Sequence, residues 1–372
     1  MSALEIGSAP PLVERVRPGI RPLREADLDQ LAALYRGVYG SSVQSSPALL
    51  KRIFFELPWR DDDVNSLVYA NEQGRIIGCL GVMPRRMRFR GRVIRAAVGH
   101  HFMVDRSKRG SLAGVELARR FLRGPQELSL AEGNESSRQI WEFLGGNISL
   151  LYSLCWTRAL RPAQYSLSFL KRRGLPAAAA LMLGTLCHGA DAALQLIPQQ
   201  AFRLHPPSAF SDDLDTVTWL ACLSAFSNSR SLQPVYDSAS LSWLMQTLDE
   251  KRHCGPLHKV VVRTHSGRPL GWYLYYLGDS AIAQVVQLGG KEDEMAEVLD
   301  HLFHHAWQRG AIAVTGPMDR SLFGPLSRSN SVFHRPDNCW MLMHSHDQQI
   351  LNAIHAGDAF LSRLEGEWWI AA

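Results

Sequence analysis

A mixed α/β protein whose layers are built twice is the fold that this 372-residue sequence predicts, and three observations carry that expectation. Amphipathic helical spacing alternates with short apolar strands over residues 18–160. The same order recurs over residues 237–372. Both halves also contain a hairpin with one short signature, Gly74-Arg75-Ile76-Ile77-Gly78 in the first and Gly267-Arg268-Pro269-Leu270-Gly271 in the second. Each half is therefore expected to be a twisted mixed sheet flanked by helices, with a helical connector at 161–236 between them.

The first half reads in order. Leu28, Leu31, Leu34, Tyr35 and Val38 fall on one helical face within 21–39, after Asp27 and Asp29, which favour a helix start. Ser46-Pro47 opens a second helix that ends before Pro58. The apolar runs 66–70 and 75–82 flank Asn-Glu-Gln-Gly, a hairpin signal, and further extended stretches cover 87–94 and 96–104. Residues 111–122 return to helical spacing, 126–131 reads as a strand, 136–144 as a helix closed by Gly145-Gly146, and 148–156 as a last strand. After the connector, with its Pro206-Pro207 and acidic 212–215, come a helix at 239–248 and strands at 259–264, 270–276 and 281–288. A helix at 292–308 and a strand at 311–315 complete the repeat.

Composition narrows the class. The chain is 46% hydrophobic and 20% charged, with a net charge of +5 spread along its length, so neither disorder nor a nucleic-acid partner is favoured. Its six cysteines are scattered without a CxxC or a nearby histidine pair, which reads as free thiols in a reducing, cytoplasmic setting with no metal site. Residues 1–22 lack the succession of a signal peptide, so export is not expected. The uncharged run 174–190 follows Lys171, Arg172 and Arg173. A domain-packing helix is its ordinary reading, and peripheral membrane contact through 171–197 is the other.

The chemistry is expected where a strand, a basic glycine-containing turn and a helix follow one another, in residues 98–122. Backbone N–H groups at such a helix start are unsatisfied, and the helix dipole favours an anion there. The loop Arg109-Gly110-Ser111-Leu112-Ala113-Gly114 and, about twenty residues on, Asn134 opening a helix that ends in Phe143-Leu144-Gly145 resemble the two signatures of the GNAT N-acyltransferase superfamily. Leu112 stands where that family usually has its middle glycine.

The resemblance implies two GNAT-like domains, the second lacking a phosphate loop because Glu292, Asp293 and Glu294 are acidic. It implies acetyl-CoA or another acyl-CoA as co-substrate, entering a split between the strand ending at Val104 and the one at 127–131. Phe102, Met103 and Val104 would bind the pantetheine arm, residues 109–114 the pyrophosphate, and Asn134 would lie beside the arm. The reaction would be acyl transfer to a primary amine of a small molecule or a glycan.

Such a transfer needs a proton acceptor, and His100, His101 and Glu132 are the candidates. Strand alternation would send only one of the two histidines into the split, with His101 favoured and a core histidine the alternative for either. Trp141 occupies the place where the family often has a general-acid tyrosine, which leaves Tyr152 or water to protonate the thiolate. Two other readings stay open: an aminoacyl-tRNA-dependent transferase of the peptidoglycan-bridge type, and a non-catalytic adaptor in polysaccharide or envelope assembly. Three features lie outside this scheme. They are the i, i+4 pair His301 and His305, an arginine-rich run at 85–95 read as a solvated edge strand, and the C-terminal Glu365-Gly366-Glu367-Trp368-Trp369, read as a core-closing tail.

Overall fold

The computed structural model describes residues 19–40, 46–108, 111–197, 204, 206–226, 230–336 and 339–371. Its first strand, β1 (Gly19–Pro22), takes in Arg21 and Pro22 from the stretch expected to be helical and pairs antiparallel with β2 (Leu67–Ala70), so α1 (Leu28–Tyr39) starts only after it. The bidentate bond from Arg21 to Asp27, 2.6 and 2.7 Å, fixes that junction. In α2 (Pro47–Phe55) the Ser46 hydroxyl accepts the Leu49 N–H at 3.2 Å and caps the helix start.

Two long strands follow, β3 (Ile76–Phe89) and β4 (Arg92–Val104). The extended stretch expected across 87–94 is in fact their hairpin, turned at Arg90 and Gly91 with φ of 48° and 85°. The helix α3 (Ala113–Leu122) then crosses to β5 (Leu128–Gly133), and Asn134 caps α4 (Glu135–Phe143) by accepting the Ser137 N–H at 3.0 Å. The strand expected over 148–156 splits into β6 (Asn147–Ser149) and β7 (Cys155–Ala159), because Ser153 folds back onto the Ser149 carbonyl between them.

The connector holds α5 (Pro162–Arg172), α6 (Ala177–Leu196), β8 (Phe210–Asp213), α7 (Thr216–Ala225) and β9 (Leu232–Pro234). Then come α8 (Ser238–Asp249), β10 (Leu257–Arg263), β11 (Pro269–Leu277), β12 (Ile282–Gly290), α9 (Met295–Gln308) and β13 (Ala313–Pro317). The chain closes with α10 (Phe323–Arg328), β14 (Val332–His334), β15 (Trp340–His344), α11 (Gln348–His355) and the short α12 (Trp368–Ala371).

These strands form two sheets. In the first the order is β1-β2-β3-β4-β5-β15-β6, with β9 beside the end of β3; in the second it is β14-β7-β13-β12-β11-β10-β8. Within them β2-β3-β4-β5 and β10-β11-β12-β13 share one pattern: two antiparallel pairings, then a parallel one reached across a helix, α3 or α9. The repeat in the sequence is thus a repeat of topology. The sheets nevertheless exchange strands across the boundaries at 160 and 237. The early β7 pairs with β13, and the late β15 pairs with β5. Each is inserted between two strands of the other half, β7 between β13 and β14 and β15 between β5 and β6.

The central core lies between the sheets, where Ile94, Val98, Leu128 and Leu130 of the first meet Val261, Trp272, Leu274 and Val286 of the second. Leu364 and Trp369 of the C-terminal segment complete it, as expected of the aromatic tail. The arginine-rich run departs from expectation at Arg85. The strand β3 is an interior strand, so Arg85 is 4% exposed rather than solvated.

Candidate active site

β4 and β5 run side by side from the Ala96–Leu128 pair to the Gly99–Ala131 pair, and no pairing continues beyond. That divergence opens the expected split. On its other edge β4 carries a bulge, since Cys79 pairs with Met103 but Gly81 with His100, leaving His101 and Phe102 opposite the single residue Leu80. His101 takes up the bulge with φ of 47°, a strained conformation for a residue with a Cβ.

The bulge overturns the alternation expected of the two histidines. Both rings lie on the same face, His100 at 5.1 Å and His101 at 5.7 Å from the Phe54 ring, with their Nδ1 atoms 2.8 Å apart. Burial holds both imidazoles neutral, lowering His101 to about 4 and His100 well below its usual range. Neither ring is then a useful base near neutral pH. What His101 brings to the split is its backbone N–H, which donates to Glu367 Oε1 at 2.7 Å.

Glu367 belongs to the C-terminal segment, which folds back across the mouth of the split and is fastened in two steps. Glu365 is buried and receives Arg85 at 3.2 Å, the Tyr236 hydroxyl, and the backbone N–H and hydroxyl of Ser362 at 2.8 and 2.7 Å. Arg85 also donates to the Leu364 carbonyl at 3.0 Å and lies 3.8 Å over the Trp59 ring. Then Glu132 of β5 accepts the N–H groups of Glu367 and Trp368, both at 3.0 Å. This approach requires glycine at 366, where a Cβ would stand 2.4 Å from the Glu132 carboxylate. The segment is stitched to β5 through Glu132 and to β4 through Glu367.

The electrostatics follow from that geometry. Burial pushes the Glu367 carboxyl up to about 7, and the nearby Glu132 charge pushes the same way against the His101 hydrogen bond. Burial also raises Glu132, while Arg363 and the two amides oppose it. Lys251, whose ammonium lies 5.9 Å from the Trp368 ring, is lowered to about 8 by burial. The Arg363 guanidinium also lies 4.4 Å from the Trp368 ring. A carboxyl poised near neutrality beside a free strand edge suits general-base work.

Of the other expected site residues, the structure brings some together and sets others apart. Phe102 and Val104 pack on Gly114 of α3, 3.6 and 3.5 Å from where its Cβ would be. Gly114 therefore serves helix–strand packing, and a bulky side chain there would meet the fold before any ligand. Met103 faces the opposite side, in the cluster of Tyr35 and Phe54. Arg109 and Gly110 lie outside the described residues.

At the start of α3 the Ser111 N–H is taken by the Lys108 carbonyl at 2.9 Å, and the Ala113 N–H reaches the Ser111 hydroxyl at 3.4 Å. The N–H groups of Leu112, Gly114 and Val115 meet no protein acceptor among the described residues. The Leu112 side chain is turned out to solvent. Asn134 spends its side-chain oxygen on capping α4.

Tyr152 does not belong to the site. Its hydroxyl donates to the Ala359 carbonyl within the central core, among Asp319, Arg230 and Asp358 rather than His101 or Glu132. Trp141 is likewise structural, donating to the Met343 carbonyl at 3.2 Å and holding α4 on β15. In the second half Tyr273 and Tyr275 bond the Nδ1 atoms of His301 and His305 at 2.8 and 2.9 Å, which makes this pair part of a buried polar network. Glu367, Lys251 and Arg85 are the site residues that sequence reasoning missed. The signal for Glu367 was present as two glutamates within a tryptophan-rich terminus.

Comparison with known proteins agrees with the fold. Residues 19–127 match the model of the acetyltransferase (GNAT) domain. Among solved structures the chain is similar to a probable N-acyltransferase from Enterococcus faecalis V583, with TM-score 0.58 and 8% identity over 90% of this chain and 74% of that one. It is also similar to a GCN5-related N-acetyltransferase from Anabaena variabilis ATCC 29413, with TM-score 0.57 and 13% identity over 88% and 72%. A third is N-myristoyltransferase from Saccharomyces cerevisiae with bound myristoyl-CoA, at TM-score 0.51 and 11% identity over 90% and 81%. A search of curated proteins found no match.

Proposed function

Residues 19–127 match the acetyltransferase (GNAT) domain, and from that premise we propose that the chain transfers an acyl group from acyl-CoA to a primary amine, with Glu367 as the general base. The observation that carries the proposal is the Glu367 carboxyl, held 2.7 Å from the His101 N–H at the edge of the split and raised to about 7. The co-substrate runs from the open start of α3, which takes the pyrophosphate, into the split beside 102–104, where the pantetheine arm lies. Its thioester then reaches the bulge.

Each residue has a task in that scheme. Glu367 takes a proton from the amine as nitrogen attacks the thioester carbonyl. The C–N bond forms, the C–S bond breaks, and the proton returns to the departing thiolate directly or through water, giving an amide and free CoA. Glu132 positions Glu367 through the two backbone N–H groups it accepts. The His101 N–H holds the Glu367 carboxylate in place.

The test is release of free thiol from acetyl-CoA and longer acyl-CoAs in the presence of small-molecule and glycan amines. Amine-dependent release supports the proposal. Lack of release with every acyl-CoA, together with lack of binding, would overturn it in favour of an adaptor. Release only from charged transfer RNA would assign the peptidoglycan-bridge chemistry instead.

A further inference from the structure

The helical hairpin of α5 and α6 stands apart from both sheets and presents an uncovered apolar end. The main partner of α6 is α5, and only a narrow stripe including Ala180 and Asp191 is buried in that contact. The rest of α6 is open. Leu181 is 79% exposed, Met182 70% and Leu186 68%, and on the last turns of α5 Phe169 and Leu170 are exposed as well. Leu181 and Met182 stand on the first turns of α6, near the tip where α5 ends, and the exposed apolar surface continues along α6 through Leu186 to Leu196 and Ile197. An 18-residue window of α6 has a mean hydropathy of 1.3 with 11% of its residues buried, the opposite of a core helix.

Charge decides what covers this end. Lys171, Arg172 and Arg173 form the turn at the tip and are exposed, with the Arg173 guanidinium 4.4 Å over the Phe169 ring. From residue 162 to 197 the sole carboxylate is Asp191. It is buried at the far end of the hairpin, where it accepts the Ala163 and Gln164 N–H groups at 2.8 and 3.0 Å and caps α5. The tip is thus apolar and purely basic, the pairing that an anionic lipid surface recognises.

We infer that the α5–α6 hairpin docks this protein on anionic membranes, its tip seated in the headgroup region with Leu181, Met182 and Leu186 among the acyl chains and Lys171, Arg172 and Arg173 on lipid phosphates. The hairpin lies on the bilayer and does not cross it. Spanning would place the Asp191 carboxylate and the start of α5 that it caps in hydrocarbon, whereas docking leaves them on the protein side. The surface is separate from the split, so membrane docking and acyl transfer are independent claims.

Co-sedimentation with vesicles of phosphatidylcholine alone, and of phosphatidylcholine mixed with phosphatidylglycerol, tests it on the full chain. The protein should pellet with the mixed vesicles and less with the neutral ones, and raised salt should weaken that preference. Leu181→Ser with Met182→Ser should lower the partition coefficient by at least about tenfold. Lys171→Glu with Arg172→Glu should remove the preference for anionic vesicles, again about tenfold. All four positions are exposed, so thermal unfolding of the variants should match the parent, which separates lost docking from lost folding. Equal partition of parent and both variants would overturn the inference. So would a concentration-dependent dimer that disappears in the serine variant, which would assign the surface to a second copy.

Discussion

Replacing Glu367 by Gln is the perturbation on which the proposed chemistry turns. The amide keeps the shape of the side chain and its oxygen still accepts the His101 N–H, now at 2.7 Å, so the C-terminal segment stays stitched to β4. The anchor at Glu365 and Arg85 and the two N–H groups on Glu132 are untouched. Only the ability to take a proton is lost. Removing a general base costs between roughly 10²- and 10⁴-fold in rate, a barrier increase of about 3–5 kcal/mol. In the parent, kcat/KM should fall about tenfold per pH unit below the Glu367 value of about 7, as the carboxyl is protonated. The variant should lose that limb while its affinity for acyl-CoA stays unchanged. The assay is thiol release at saturating acyl-CoA across pH 5 to 9. A Gln variant with parental kcat and the same limb would refute the assignment and move the base to Glu132.

Other predictions concern the frame around Glu367. Gly366→Ala puts a Cβ 2.4 Å from the Glu132 carboxylate, so the segment must shift; kcat should fall while calorimetric affinity for acyl-CoA holds. Arg85→Met leaves Glu365 buried without its charge partner and should lower stability by about 3–5 kcal/mol, read from chemical unfolding. Stability should also fall on acidification. His101, His301 and His305 are lowered in the folded chain to about 4, 4 and 3, so below pH 6.5 the unfolded chain binds protons that the folded one refuses. Glu367 opposes this between 4.5 and 7, because there the folded chain holds the extra proton. A series of melting temperatures from pH 8 to 4 checks the sign, and Glu367→Gln should steepen the decline.

Local chemistry made much of this fold legible. Helix starts could be read at Ser46 and Asn134 because their side chains cap by mechanisms that need no tertiary context. The repeated order of strands and helices could be read because hydrophobic period survives in both halves. What escaped is what depends on distant chain. The pairing of β7 with β13 and of β15 with β5 follows from edges that need partners, and neither strand declares its sheet by pattern. Arg85 was read as solvated because its strand carries many arginines, while its burial is set by a glutamate 280 residues away.

The site shows the same division. The strands beside the split and the helix that follows were read from local pattern, and the split itself was an implication of the resemblance. The base was sought on β4 because alternation is the default for a strand, but the bulge at His101 placed both imidazoles in the Phe54 cluster. The carboxylate that faces the split instead comes from the far end of the chain. Its neighbours Gly366 and Trp368 gave a hint of a built structure without saying where it docks.

Calorimetric titration of the full chain with acetyl-CoA and longer acyl-CoAs tests most directly that the split is an acyl-CoA site. Saturable binding of one acyl-CoA per chain, weakened when Leu112 is replaced by Pro so that its N–H at the start of α3 is lost, is the result that this account predicts. Heats no larger than dilution for every acyl-CoA, at protein concentrations where the fold is intact, would contradict it.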